Sequence, residues 1–222
     1  MNVTDALKAR FTCRAFTSEP VDGEMILTIM EAALKAPSWG NTQPWEIFVA
    51  NGKSADRLRE AYYDRFSHGV PANPDIARPL PTDWPPALKE RYEKLRDDRS
   101  EFLGLNRSDE SDMHSLMARN FSFFDAPCVV FLCMDRSLTP WSLFDLGSLS
   151  QSIMLAACEY GLGTAAAVQL ASYPDLLRQE LGIPDNLAVC IGIAMGRIDA
   201  DSPHNAFRSP RRPVDEVVRI RG

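Results

Sequence analysis

Histidine is scarce in this 222-residue chain, and His68, His114 and His204 lie far apart, none of them in a His-Glu-x-x-His or similar ligand pattern. A zinc site is therefore not expected, and no Ser–His or Cys–His catalytic set stands out. Cysteine is limited to Cys13, Cys128, Cys133, Cys158 and Cys190, an odd number without a Cys-x-x-Cys pair. Three of these stand in apolar strings, so buried thiols rather than disulfides are expected. Long apolar runs are missing too: nothing approaches the roughly 18 residues of a membrane span. The start, Met1-Asn2-Val3-Thr4-Asp5-Ala6, lacks the charged-then-apolar layout of a secretory signal. The expected location is the cytoplasm, with no membrane partner. Positive charge is in deficit, with 24 Lys and Arg against 30 Asp and Glu and a net charge of −6. This argues against nucleic acid as a partner, because such binding leans on many cation–phosphate contacts.

What is present is ordinary globular material. A 45% hydrophobic and 24% charged composition predicts a substantial core. Apolar periodicity and capping signals predict helices at 3–10, behind Thr4 or Asn2, and at 22–36, stopped by Pro37. A strand at 46–50 and a helix at 54–66 follow, separated by the turn signal Asn51-Gly52. From Ser67 the chain loses its hydrophobic period and runs through Pro71, Pro74, Pro79, Pro81, Pro85 and Pro86, which reads as an irregular excursion. Two charged helices are expected at 87–102 and 109–121. Together these segments make an insertion at about 67–121, read as a helical lid or substrate wall, with a plain solvated excursion as the alternative. Beyond it, 128–134 and 188–195 are continuous apolar runs of strand length, predicted to be buried on both faces. A long helix is expected at 144–160, closed by Gly161, then a small-residue strand at 164–168 and a short helix at 174–181. The chain ends in a basic, proline-punctuated tail. Helices alternating with a few buried strands give a single α/β or α+β domain, with helices on both faces of one sheet. The apolar stripe of the long helix is wider than one sheet contact needs, which points to burial between subunits or to a central helix of a monomer.

Three separated stretches carry the candidate chemistry. The first is Arg10-Phe11-Thr12-Cys13-Arg14, two cations and a hydroxyl after the first helix; solvated surface charge is the alternative. The second, Ala36-Pro37-Ser38-Trp39-Gly40-Asn41-Thr42-Gln43-Pro44-Trp45, combines neutral hydrogen-bonding side chains with two indoles and has no charge. Such a surface suits a flat, neutral, donor- and acceptor-rich ring. The same composition also describes a tight helix-to-strand turn whose Trp residues are core. The third is Phe207-Arg208-Ser209-Pro210-Arg211-Arg212-Pro213, three guanidiniums held by prolines in a form that suits a phosphate monoester or, alternatively, a loose basic end.

Taken together, these stretches resemble the nitroreductase family of flavoproteins. The resemblance rests on Arg10/Thr12/Arg14, on Pro37-Ser38-x-x-Asn41-x-Gln43-Pro44-Trp45, on Gly161-Leu162-Gly163-Thr164 with Leu181-Gly182-Ile183-Pro184 beyond, and on Phe207-Arg208-Ser209-Pro210-Arg211. The Pro-Ser-x-x-Asn-x-Gln-Pro-Trp string is its specific part, and it extends over nearly all of the chain outside the insertion. It implies an α+β fold with a central, mostly antiparallel sheet flanked by helices, in an interlocked homodimer holding one FMN at each of two interface sites. Arg10, Phe11, Thr12 and Arg14 would meet the phosphate, ribityl and pyrimidine edge. Pro37, Ser38, Trp39 and Asn41 of the other subunit would contact the isoalloxazine. Backbone groups of Ala166, Ala167 and Val168 would face its N5 and O4 edge, and Arg208 and Arg211 would complete the phosphate clamp. Two departures from the family pattern stand out: Ala165-Ala166-Ala167-Val168-Gln169 replaces the usual Cys-Pro or Trp-x-Gly variants, and Phe11 stands where relatives often carry Arg, His or Ser.

The activity implied is reduction of a small nitroaromatic substrate with NADPH or NADH, by ping-pong hydride transfer through flavin N5, with no catalytic side chain beyond electrostatic support from Arg14. Trp39, Trp84 and Tyr92 are the candidate substrate wall, with Phe66 and Phe102 as further insertion aromatics. Alternatives on the same fold are quinone, enone or other electron-poor acceptors, or an FMN-binding module without turnover.

Overall fold

The two continuous apolar runs lie side by side in the middle of one sheet. The computed structural model describes residues 1–78 and 80–222; Pro79, one of the prolines of the irregular stretch, lies outside the described residues. Strands β1 (Glu46–Asn51), β2 (Cys128–Asp135), β3 (Leu162–Ala167) and β4 (Leu187–Arg197) form a four-stranded sheet in the order β1-β2-β4-β3. Every neighbouring pair is antiparallel. With no parallel crossover in the sheet, the architecture is α+β, the second of the two classes that the element tally left open. Side chains of β2 alternate between two cores: Val129, Phe131 and Cys133 on one face, Cys128, Val130, Leu132 and Met134 on the other. The period of two in a strand places each set on its own side, and both sides are covered, which is why the run contains no polar residue before Asp135.

One face is covered by α2 (Gly23–Ala33) and α6 (Trp141–Glu159), through Ile26, Ile29, Met30, Leu146, Leu149 and Ile153. The other is covered by α3 (Lys53–Ser67), α5 (Glu110–Phe121) and α7 (Pro174–Leu181), through Leu58, Tyr62, Phe121 and Leu177. Helix α1 (Val3–Ala9) starts on Asn2, whose side chain accepts the Asp5 N–H at 2.9 Å. Asp109 caps α5 in the same way, through Ser111 and Asp112. Helix α4 (Pro86–Phe102) follows the proline-rich stretch, and α8 (Val214–Val217) is a single turn in the tail.

Most boundaries agree with the sequence pattern to within a residue or two, and the exceptions have local causes. Helix α2 stops at Ala33, before Pro37, because Leu34–Ala36 already turn away with backbone bonds to Met30, Ala32 and Ala33. Helix α6 begins at Trp141, a turn earlier than expected, directly after Pro140. Gly161 takes φ +69°, the left-handed conformation that ends α6 and releases the chain into β3. Strand β3 starts at Leu162, and Val168 opens a short 3-10 turn over Val168–Ala171. Among the described residues no helix is long and apolar enough to cross a membrane.

The segment after β3 is fixed from two sides. The Tyr62 hydroxyl, fully buried, donates to the Leu170 carbonyl at 2.9 Å and lies 3.3 Å from the Tyr173 N–H, which donates to it. From the sheet, Gly192 of β4 lets Leu170 approach so closely that an added Cβ would stand 2.5 Å from the Leu170 Cβ. Gly192→Ala should therefore push the 168–171 turn off the sheet and cost about 1–3 kcal/mol, read as a lowered urea midpoint. An unchanged midpoint would show that the turn yields freely.

Candidate active site

Strand β3 is an edge strand, and its open side builds the site. Thr12 pairs in parallel with Thr164, and the Cys13 N–H donates to the Thr164 carbonyl at 2.9 Å. Thr164 therefore points its backbone away from β4. In a pleated strand the residue two further on does the same, so Ala166 presents its N–H and C=O along that open edge. Small residues suit this place: Gly163 packs so tightly under Cys13 that a Cβ there would lie 2.9 Å from the Cys13 side chain.

The C-terminal segment is tied to the same edge by Asn205. Its buried side chain accepts the Arg14 N–H at 2.7 Å and donates to the carbonyls of Ala15 at 2.7 Å and Asp199 at 2.8 Å. The Arg208 guanidinium lies 3.7 Å from the centre of the Phe11 ring and also donates to the Asn205 carbonyl. Phe11 thus offers its π-face to a cation, which the family's polar residues at this position would not do.

Arg14 faces a cavity of about 370 Å³, shared with Gln169, Tyr92, Arg99 and Phe207. Among the described residues its only side-chain bond is a long one, 3.4 Å to the Thr12 carbonyl, and burial holds its pKa below the usual arginine value. The cavity thus joins Arg14, the residue after Val168, the start of the basic tail and one of the two aromatics expected from the insertion. Trp84 stands edge-on to Tyr92 at 5.4 Å. Phe66 stacks on Phe121 at 4.6 Å as part of the packing, and Phe102 leans on Phe207 at 5.6 Å. Arg211 does not line this cavity: it bonds to Ser209 and Pro210 and lines an adjoining one with Arg91 and Lys94 of α4, the two cavities sharing Leu95 and Ser209.

The charge-free loop divides its two indoles. Trp45 is core, 7% exposed, whereas Trp39 is 80% exposed. The Trp39 N–H donates to both carboxylate oxygens of Asp145 on α6 at 3.3 Å, Ser38 Oγ accepts the Gln43 N–H at 2.9 Å, and Thr42 Oγ1 donates to the Trp39 carbonyl at 2.9 Å. Asn41 and Gln43 are held at φ +56° and +47°, a strain of the kind that concentrates at functional loops. Neighbouring Trp141 and Phe144 are 78% and 71% exposed, and with Trp39 they border apolar cavities that share no residue with the Arg14 cavity. Within one chain, then, Pro37, Ser38, Trp39 and Asn41 do not meet Arg14.

Sequence reasoning missed Arg99, Arg119 and His204. Arg99 of α4 makes no side-chain hydrogen bond or ion pair among the described residues, and its Nε is buried without a partner, as are Arg119 Nε and His204 Nδ1. Burial, followed by repulsion from Arg14 and Arg119, brings Arg99 down to about 10. His204 is lowered to about 4 by burial and then by Arg119, Arg99 and Arg14. A signal for Arg99 was available. Lys94 and Arg96 have Asp98 and Glu93 one helical turn away, but Arg99 has no acid at i±3 or i±4.

The neutral His204 gives a pH test. Its pKa in the folded protein lies below the unfolded value of about 6.5, so the unfolded chain binds the proton first and stability falls as pH drops from about 6.5 towards 4. His204→Asn should remove a share of that acid loss on the order of 2 kcal/mol, read from urea midpoints at pH 7 and pH 4.5. Identical pH profiles for the two proteins would show that His204 is free to protonate.

Comparison with known proteins places this geometry in context. The nitroreductase family pattern matches residues 7–197. A nitrobenzene nitroreductase from Ectopseudomonas oleovorans is 33% identical, across 97% of this chain and 95% of the relative. A 4-nitrobenzoate reductase from Pseudomonas putida is 32% identical, across 98% and 95%. The crystal structure of the FMN and NADPH-dependent nitroreductase NfnB from sphigopyxis sp. strain HMH superposes with a TM-score of 0.93 at 31% identity, covering 100% of both chains. With the sheet order, the Pro-Ser-x-x-Asn loop and a match over most of its length all in agreement, the chain belongs to the nitroreductase family.

Proposed function

We propose that the protein is a cytoplasmic, FMN-dependent NAD(P)H nitroreductase that reduces nitroaromatic compounds as a homodimer. The observation that carries this reading is the open backbone edge of β3 beyond the Thr12–Thr164 bridge, beside the half-buried guanidinium of Arg14, whose side-chain bond to the Thr12 carbonyl is long. An unpaired donor and acceptor next to a desolvated cation fit the N5/O4 and N1/O2 edges of an isoalloxazine ring. When bound, FMN supplies a centre that takes a hydride from the nicotinamide and passes it to the acceptor.

The chain's own residues bind and orient. Arg14 holds negative charge at the pyrimidine edge, and Ala166, Ala167 and Val168 offer backbone groups at the opposite edge. Arg10, Phe11, Thr12 and Arg208 gather near the phosphate end, with Arg208 kept in place over Phe11. The assignment of Arg211 to the same clamp rests on the family resemblance, since Arg211 lines the adjoining cavity rather than that of Arg14. The dimer follows from what one chain leaves open: the Trp39 loop is shaped, anchored to Asp145 and exposed, yet remote from its own Arg14 cavity. A second copy packed on α6 would cover Trp141 and Phe144 and bring Pro37, Ser38, Trp39 and Asn41 to the flavin. Residues 67–121 then act as a lid within a single domain, with Trp84 and Tyr92 joining Trp39 around the nitroaromatic substrate.

Purified protein should be yellow, with flavin absorbance that bleaches when NADPH or NADH is added without oxygen; a colourless dimer that takes up no FMN would end the proposal. Arg14→Ala should slow that bleaching more than it weakens FMN retention, and equal losses would remove its electrostatic role. Arg211→Ala should weaken FMN binding about 10- to 150-fold if the charged bond is worth roughly 1.5–3 kcal/mol, and unchanged FMN affinity would take Arg211 out of the clamp.

A further inference from the structure

The main chain of Arg14 is clamped from both sides. Its N–H donates to Asn205 Oδ1 at 2.7 Å, and its carbonyl accepts a bond from the Arg119 guanidinium at 2.8 Å. The N–H belongs to the peptide unit before the Arg14 Cα and the carbonyl to the unit after it, so side chains from two different elements fix both. The neighbours are tied as well: the Cys13 N–H donates to the Thr164 carbonyl, and the Ala15 carbonyl accepts from Asn205 at 2.7 Å. The Arg14 side chain, with its long bond to the Thr12 carbonyl, is the part left to face the cavity.

The two clamping side chains differ in origin. Asn205 belongs to the C-terminal segment, whereas Arg119 stands in the last turn of α5 and reaches a carbonyl 105 residues away in sequence. A cation in that position ordinarily serves the carbonyls of its own helix end. Among the described residues Arg119 makes no such bond, and the acid nearest to it, Asp125, is 3.7 Å away, farther than the Arg14 carbonyl. Asp125 is brought back beside Arg119 by an uncommon turn: Phe123, Phe124 and Asp125 all take positive φ, +54°, +57° and +65°, a costly conformation for non-glycine residues. Nor does α5 depend on this bond for its place. Phe121 is buried in the core, stacked on Phe66 at 4.6 Å and tilted against Tyr173 at 5.8 Å.

The value of such a clamp lies in the distance dependence of electrostatics. A cation serves a developing charge only from a fixed position, and a displacement of about 1 Å in a partly dry site is enough to lose much of the effect. Helix α5 also lines the cavity, through Met113, Leu116, Met117 and Asn120. One element thus shapes the wall and holds the cation's backbone.

We infer that Arg119 is a positioning residue for Arg14: by holding the Arg14 carbonyl from α5, it keeps the Arg14 guanidinium at the pyrimidine edge of the flavin and makes the flavin easier to reduce. This role rests on the flavin-binding reading above. The test uses the purified full-length protein with Arg119→Met, Arg119→Lys and Arg14→Ala, and takes two measurements: the midpoint potential of the bound flavin, and hydrogen exchange over residues 11–16. Arg119→Met should lower the equilibrium constant for two-electron reduction of the flavin about 10-fold, a potential about 30 mV lower, and should speed exchange of the segment. Arg119→Lys, which keeps the charge and a donor, should lie between it and wild type. In an Arg14→Ala background the shift caused by Arg119→Met should vanish, because it acts through Arg14. Equal shifts with and without Arg14 would mean that Arg119 acts by its own field and would overturn the inference; an unchanged potential or unchanged exchange in Arg119→Met would do the same. If Arg119→Met does not fold, the smaller shift in Arg119→Lys and its loss in the Arg14→Ala background carry the test. Protein that takes up no flavin would remove the reading beneath the inference, whereas bound, reducible flavin with a potential insensitive to Arg119 keeps that reading and removes the inference alone.

Discussion

The short bridge between Thr12 and Thr164 is the constraint on which the site depends. It is a minimal piece of sheet, one parallel pairing and a 2.9 Å bond from Cys13, but it joins the two ends of the sequence pattern. It turns the β3 backbone outward at Thr164, and thereby at Ala166, and it sets Arg14 two residues along from Thr12 beside that edge. Asn205 then adds the C-terminal segment with three bonds from one buried amide. Segments about 150 and 190 residues apart in sequence are thus held together by backbone groups and one side chain, in a place where Gly163 leaves no room for error.

A second constraint is electrostatic. The core places Arg14, Arg99 and Arg119 where water is partly excluded, and among the described residues the one carboxylate paired with any of them is Asp125, at the far end of a long contact to Arg119. Stability alone does not favour this arrangement, since unpaired buried charge is among the costliest features a fold can carry. Elsewhere the chain pairs its cations readily: Arg136 and Arg178 share Asp75 at 2.6 and 2.8 Å, and Arg65 donates two parallel hydrogen bonds to the Asp175 carboxylate. The contrast between these saturated pairs and the bare cluster at the cavity is a difference of purpose. In the flavin-binding reading proposed above, cations kept free of competing acids are available to the negative charge of the bound group.

Much of this was legible in the sequence, for identifiable reasons. Buried strands and amphipathic helices declare themselves by period, so β2, α3 and α7 were readable almost to the residue. The charge-free loop was readable as a surface, but its two indoles have opposite fates, and only the pairing of β1 with β2, which buries Trp45 behind it, separates them. Arg14 was found through a motif. Arg99 and Arg119 were not, because they lie on helices whose composition is that of a solvated surface and whose approach to Arg14 is a tertiary event. His204 reads as an ordinary tail histidine until three guanidiniums are placed around it. The position of Arg211 likewise depends on how the proline-punctuated tail lies over α4, which no periodicity encodes.

Helix α4 explains why the cationic wall stands where it does. Of its 17 residues only Ser100 is buried, so it has little apolar area to fix it to the body of the protein. Its ties are the pairs of Arg107 with Glu93 and Asp97, the Phe102–Phe207 contact and the Trp84–Tyr92 contact. Exposed ion pairs contribute little, typically about 0–1 kcal/mol each. The element is therefore among the least firmly held around the cavity, and of the two α4 cations that line it, Arg96 pairs with Glu93 while Arg99 has no hydrogen bond or ion pair among the described residues.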